Sequence, residues 1–86
     1  MRIDRITEEQ ITEQINLFVN SFHSVKCGYK YLFYDNLYPY SWEITKVSSK
    51  QVNIKKWEKG RLIFNQNKGY KFIIESIRNN LIYAVY

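Results

Sequence analysis

His23 and Cys27 are the only histidine and cysteine in the chain. A thiol with an imidazole four positions away is the smallest set that could suggest nucleophilic chemistry. A working thiolate needs a base, and the base needs a third group to orient it. No such group is marked out here. The spacing instead puts His23 in the last turn of a helix, where the dipole favours it, and Cys27 just beyond. One His and one Cys also fall short of the four ligands of a structural zinc site. Glu8, Glu9 and Glu13 suit a polar helix face and Asp35 suits a turn. Glu43, Glu58 and Glu75 lie near Lys or Arg. With only Gly28, Gly60 and Gly69 there is no phosphate-cradling loop and no nucleophile elbow. The expectation is a protein without catalytic, metal or cofactor chemistry.

A basic strip is the first informative feature. Lys46, Lys50, Lys55, Lys56, Lys59 and Arg61 fall close together, opposed only by Glu58. Trp57 lies among them, with Trp42 as its expected cross-strand neighbour and Lys71 on the same predicted face. Binders of single-stranded nucleic acid join cationic grooves to aromatic platforms, because bases stack on rings while Lys and Arg meet phosphates. A hairpin with solvated lysines and two Trp packed for stability explains the same residues.

A Tyr-rich segment is the second. Tyr29, Tyr31, Phe33, Tyr34, Tyr38, Tyr40 and Trp42 follow one another closely. Tyr and Trp are enriched at protein interfaces. Tyr29, Tyr31 and Phe33 suit one strand face and a small core. Tyr34, Tyr38 and Tyr40 sit near Pro39 in an expected loop and are interface candidates.

The elements that would carry these residues follow from totals and patterning. With 86 residues there is room for one domain. The 17% aromatic content supplies large buried area per residue and argues against disorder. One cysteine excludes an intrachain disulfide, and the absence of a signal-peptide pattern or long apolar run points to the cytoplasm and away from membranes. Residues 1–22 carry two Arg against four acidic groups. The rest carries nine Lys and two Arg against four, so the net charge of +5 comes from the later part. That asymmetry suits an acidic partner. The abundance of Ile, Asn, Lys and Tyr suits a low-GC genome, including those of phages and mobile elements.

Thr7 and Gln10 form a capping box, with Ile6 and Ile11 at the staple positions. Ile11, Ile15, Phe18, Val19 and Phe22 make one apolar stripe, so a helix is predicted over about 8–22. Strand runs follow at 29–34, 41–48, 51–57, 61–66, 70–77 and 81–86. A two-residue turn at 49–50 pairs Val47 with Val52. A Gly-bulge turn at 58–60 pairs Lys56 with Leu62 and Ile54 with Phe64. One at 67–69 pairs Phe64 with Phe72 and Arg61 with Glu75. Asn79-Asn80 supplies the last turn.

These registers give one face Val47, Val52, Ile54, Leu62, Phe64, Phe72, Ile74 and Val85, which receives the helix. The other carries Trp42, Ile44, Lys46, Asn53, Lys55, Trp57, Arg61, Ile63, Asn65, Lys71 and Ile73. Residues 70–79 also fit a helical stripe through Tyr70, Ile73, Ile74, Ile77 and Leu81.

The expected fold is α+β: one amphipathic N-terminal helix on a bent antiparallel meander of five to six strands. The expected function is binding by occupancy, to nucleic acid or to the nucleic-acid-binding surface of a larger machine. The residues expected to carry it are Trp42, Lys46, Lys50, Lys55, Trp57, Lys59, Arg61 and Lys71. The alternative is an inhibitor of a host protein, of the anti-defence or anti-CRISPR kind made by phages and mobile elements, acting through the Tyr-rich loop. The 81–86 edge could pair with a second copy.

Overall fold

A computed structural model describes residues 7–37 and 39–84. Ile6, Tyr38 and Val85, named above, lie outside the described residues. The fold is α+β, with helix α1 (Glu8–Ser24) followed by strands β1 (Lys30–Asp35), β2 (Tyr40–Lys46), β3 (Gln51–Glu58) and β4 (Arg61–Gly69). Helix α2 (Tyr70–Arg78) and strand β5 (Ile82–Ala84) complete it. The five strands form one antiparallel sheet in the order β4-β3-β2-β1-β5. The chain leaves one edge at β4, passes through α2, and returns at the other edge as β5.

Helix α1 begins where its capping box predicts. Gln10 N–H donates to Thr7 Oγ1 at 3.1 Å, and Thr7 N–H donates to Gln10 Oε1 at 2.9 Å. Its stripe lands on β1, where Phe18 meets the Tyr31 and Phe33 rings with centroids 5.2 and 6.0 Å apart. Gln14 Oε1 accepts from Ala84 N–H at 2.9 Å, so the helix also touches β5. Burial pushes the Tyr31 phenol above its ordinary value, opposed in part by its hydrogen bond with Ser21.

The segment 70–77 is helix, not strand. Strand β4 runs straight through 67–69 into α2, so the expected Phe64–Phe72 and Arg61–Glu75 pairings do not form. Arg61 instead pairs with Glu58, and Arg78 with Glu75. Ile73 and Ile77 are fully buried and Tyr70 and Ile74 pack against the core, at the 3.6-residue spacing of the alternative stripe. Asn80 adopts φ 58° just past the helix, the left-handed residue that ends many helices.

The β2–β3 register differs by one residue. Lys46, not Val47, sits opposite Val52, because Val47 and Ser48 both donate to Gln51 O across a longer loop. One step inverts a strand's faces. Trp42, Ile44 and Lys46 therefore point inward with Val52 and Ile54, and Val47 is exposed. The next hairpin turns on Lys59-Gly60, with φ 49° and 83°, positive at both residues as a type I′ turn requires. Its register slips by two, pairing Lys56 with Phe64 and Ile54 with Gln66, so Phe64 stays inward. A bulge at Lys56/Trp57 then pairs Trp57 with Leu62, which moves Leu62 to the outer face.

Lys46 is a correction with structural weight. It was expected on a binding surface, yet its residue is only 8% exposed. Its ammonium donates to Phe22 O at 2.6 Å and to Val25 O at 2.8 Å, and lies 4.8 Å from the Phe22 ring centroid. These carbonyls belong to the end of α1, which lacks intrahelical donors and carries the negative end of the dipole. Lys46→Met keeps the stem and deletes the charge. It should lower unfolding free energy by about 2–4 kcal/mol, given the strength of charged hydrogen bonds and the carbonyls left unpaired. Urea denaturation with an unchanged m-value checks this; a loss under about 0.5 kcal/mol would show that Lys46 does not hold the helix.

Candidate nucleic-acid interface

Both helices pack on one face of the sheet, and among the described residues the opposite face is bare of helix. Register assigns its side chains in rows. One row crosses all five strands as Leu62, Trp57, Ser41, Tyr34 and Tyr83. The next holds Asn65, Lys55, Glu43 and Leu32, and the third Asn67, Asn53, Thr45 and Lys30. Successive strands lie about 4.8 Å apart, so the first row spans roughly 19 Å.

Aromatic rings dominate that first row. Tyr34 is 42% exposed and packs against Tyr83 with ring centroids 5.6 Å apart. Trp57 is held by its indole N–H, which donates to Glu43 Oε1 at 3.2 Å. Ser41 lies between Trp57 and Tyr34 and leaves a step between the two rings. At this end of the sheet a hollow of about 430 Å³ is lined by Tyr34, Ser41, Tyr83, Pro39, Tyr40 and Lys59, among others. Its volume falls in the range of small-ligand sites.

The charges are unevenly committed. Lys30 Nζ lies 3.0 Å from Glu43 Oε2. Lys55 sits opposite Glu43 in register, yet among the described residues it has no ion-pair contact within 4.0 Å. The Lys30 hydrogen bond is the main cause holding the Glu43 carboxyl below its ordinary value; burial opposes it, and the Lys30 charge, the Trp57 hydrogen bond and the Lys55 charge add to it. Asn53 Nδ2 donates to Asn65 Oδ1 at 2.8 Å and Asn67 Oδ1 at 3.0 Å, an amide ladder that joins the second and third rows.

The structure thus gathers Lys55, Trp57, Lys59, Tyr34 and Tyr40 around one face and its end, and disperses the other expected residues. Trp42 is buried on the inner face, its indole N–H bonded to Asp35 Oδ2 at 3.0 Å. It is therefore not the outer-face neighbour of Trp57, whose partner on β2 is Ser41. Arg61 pairs with Glu58 at the hairpin tip. Lys50 and Lys71 are exposed at the opposite end of the fold, beside His23 and the start of α2. Tyr83, Lys30 and Glu43 were not singled out from sequence. Alternation along Ile82-Tyr83-Ala84 was the only signal for Tyr83.

Cys27 is exposed, and His23 packs edge-on against Tyr70 with centroids 5.5 Å apart. Among the described residues no group of three or more His, Cys, Asp or Glu could hold a metal ion, and no helix is long and apolar enough to cross a membrane. Comparison with family models, with curated proteins and with solved structures finds no match to this chain.

The depressed Glu43 carboxyl has a pH consequence. A carboxyl lowered in the folded state contributes stability above its unfolded value, and that contribution is lost as pH falls through the folded value. Denaturation midpoints at about pH 7 and about pH 3 should therefore show a smaller acid-side loss in Glu43→Gln than in the unaltered protein. Equal losses would show that the Lys30–Glu43–Trp57 cluster adds nothing to stability.

Proposed function

We propose that this protein binds single-stranded nucleic acid by occupancy, without catalysis, on its outer sheet face. The row Trp57–Ser41–Tyr34–Tyr83 carries the reading. Bases stack on the exposed Tyr34 ring and the half-buried Trp57 and Tyr83 rings, and phosphates pass along Lys55 and Lys59. The amide ladder of Asn53, Asn65 and Asn67 offers donors and acceptors to base edges. A strand laid across the face meets aromatic, cationic and amide groups in successive rows.

A second reading draws on Leu32, Leu62 and Ile63, which are 51%, 42% and 41% exposed. Leu32 lies beside Tyr34 on β1 and the other two lie on the β4 edge; such apolar exposure also suits a protein target, as an inhibitor of a host protein would require.

Salt separates the two. Binding of a fluorescent oligothymidine should weaken linearly in log salt, as phosphate contacts demand. Trp57→Ala should cost about 1–3 kcal/mol of binding if a base stacks there. Lys55→Glu should weaken binding and flatten the salt slope. Arg61→Glu, already tied to Glu58 and off this face, should change little. If Lys55→Glu and salt leave binding unchanged, the nucleic-acid reading is wrong. A partner retained after nuclease treatment and lost in Tyr34→Ala would favour the protein reading.

A further inference from the structure

On the helix side of the sheet, the β3–β4 hairpin extends past the core, and α2 leaves a hollow against it. Trp42, Ile54, Lys56, Phe64 and Phe72 line a space of about 190 Å³. At roughly 30 Å³ per liquid water this is room for about six waters, the size of one ring. Trp42 and Phe72 stack as a pair, with interplanar angle 14° and centroids 6.4 Å apart, and together form an aromatic wall. Phe72 is 41% exposed although it sits on a helix that buries Ile73 and Ile77 and partly buries Tyr70 and Ile74.

Two lysines lie beside the hollow, Lys56 in its lining and ion-paired with Asp35, and Lys68 over Phe72. Lys56 Nζ lies 4.7 Å from the Tyr40 ring centroid and 6.0 Å from that of Trp42. Its nearest carboxylate oxygen, Asp35 Oδ2, is 3.5 Å away and already accepts the Trp42 indole N–H. Lys68 Nζ lies 5.5 Å from the Phe72 centroid. One ammonium thus lies near each wall ring.

We propose that this hollow is an anchor pocket for an aromatic side chain in an acidic segment of a partner protein. The pocket is smaller than sites that enclose a free ligand, and it opens to solvent, so it suits a side chain inserted from outside. Its lining has two polar groups, the Lys56 ammonium and the Trp42 indole N–H, both turned to Asp35, and no acceptor to read a base edge, which favours a phenyl ring over a nucleobase. The two lysines complement carboxylates flanking that ring. The pocket lies on the face opposite the nucleic-acid row and adjoins its end hollow at Tyr40 and Asp35.

The probe is an acetylated, amidated pentapeptide of sequence Asp-Glu-Phe-Glu-Asp, titrated into the isotope-labelled full chain and followed by amide and indole N–H resonances. It should shift the Trp42 indole and the Ile54, Phe64 and Phe72 amides saturably, leaving the Trp57 indole in place. Replacing the peptide's Phe by Ala, or its acids by Lys, should abolish the shifts. Phe72→Ala should weaken binding about tenfold or more, as loss of an anchor contact does. Lys56→Gln with Lys68→Gln, which keeps all rings, should weaken it and remove its salt dependence. Absence of saturable shifts, equal shifts from the Ala or Lys peptide, or oligothymidine moving the Trp42 indole instead would each overturn the proposal.

Discussion

The Lys46 ammonium bonded to Phe22 O and Val25 O joins the end of α1 to the end of β2. Its own backbone continues the tie, since Gly28 N–H donates to Lys46 O at 2.7 Å and Lys46 N–H to Tyr29 O at 2.9 Å. A charge this buried is tolerated only with its hydrogen bonds satisfied. The contact therefore fixes which face of β2 turns inward. Trp42 and Ile44 follow at two-residue intervals, and the Phe18 and Phe22 rings are set over β1. Once α1 is held there, α2 has the remainder of the same face to cover as the chain passes from the β4 edge to the β5 edge.

One face thus takes both helices, and the other keeps its side chains open in register. The outer rows owe their composition to the same parity. If β2 were turned over, Trp42 and Lys46 would join Trp57 outside, and Ser41 and Glu43 would be lost to the core. The observed arrangement instead places a small residue between two rings and a carboxylate between two lysines. Glu43 restrains both the Trp57 indole and Lys30, which orders part of the platform before any partner arrives. Preorganised groups bind with less loss of side-chain freedom.

The sequence made α1 legible because cap, dipole and stripe agree over four turns. The sheet order of β1 to β4 and the position of the Lys59-Gly60 turn were legible for similar reasons, since turn residues there have a steric requirement. Register was not. A two-residue slip in β3–β4 left Ile54 and Phe64 on their expected face, whereas a one-residue slip in β2–β3 sent Trp42, Ile44 and Lys46 to the other. Loop length differing by a single residue decides this, and Ser48-Ser49-Lys50 has no strong conformational demand. Helix α2 is ambiguous in the sequence because its nine apolar-rich residues satisfy both periods. The local pattern held nothing to show that β5 must reach the far edge, which requires a crossing element. Of the expected site, Lys55 and Trp57 kept their face, Lys59 and Tyr34 converge at its end, and Lys46 became the residue that holds the core.

The central claim is that the bare face of the sheet is the working surface. Resonance mapping of the labelled protein with an oligothymidine tests it most directly. Shifts should centre on Tyr34, Ser41, Lys55, Trp57 and Tyr83, with Phe18, Ile73 and the Trp42 indole unmoved. Shifts confined to the helices, or no shifts at low salt, would contradict it.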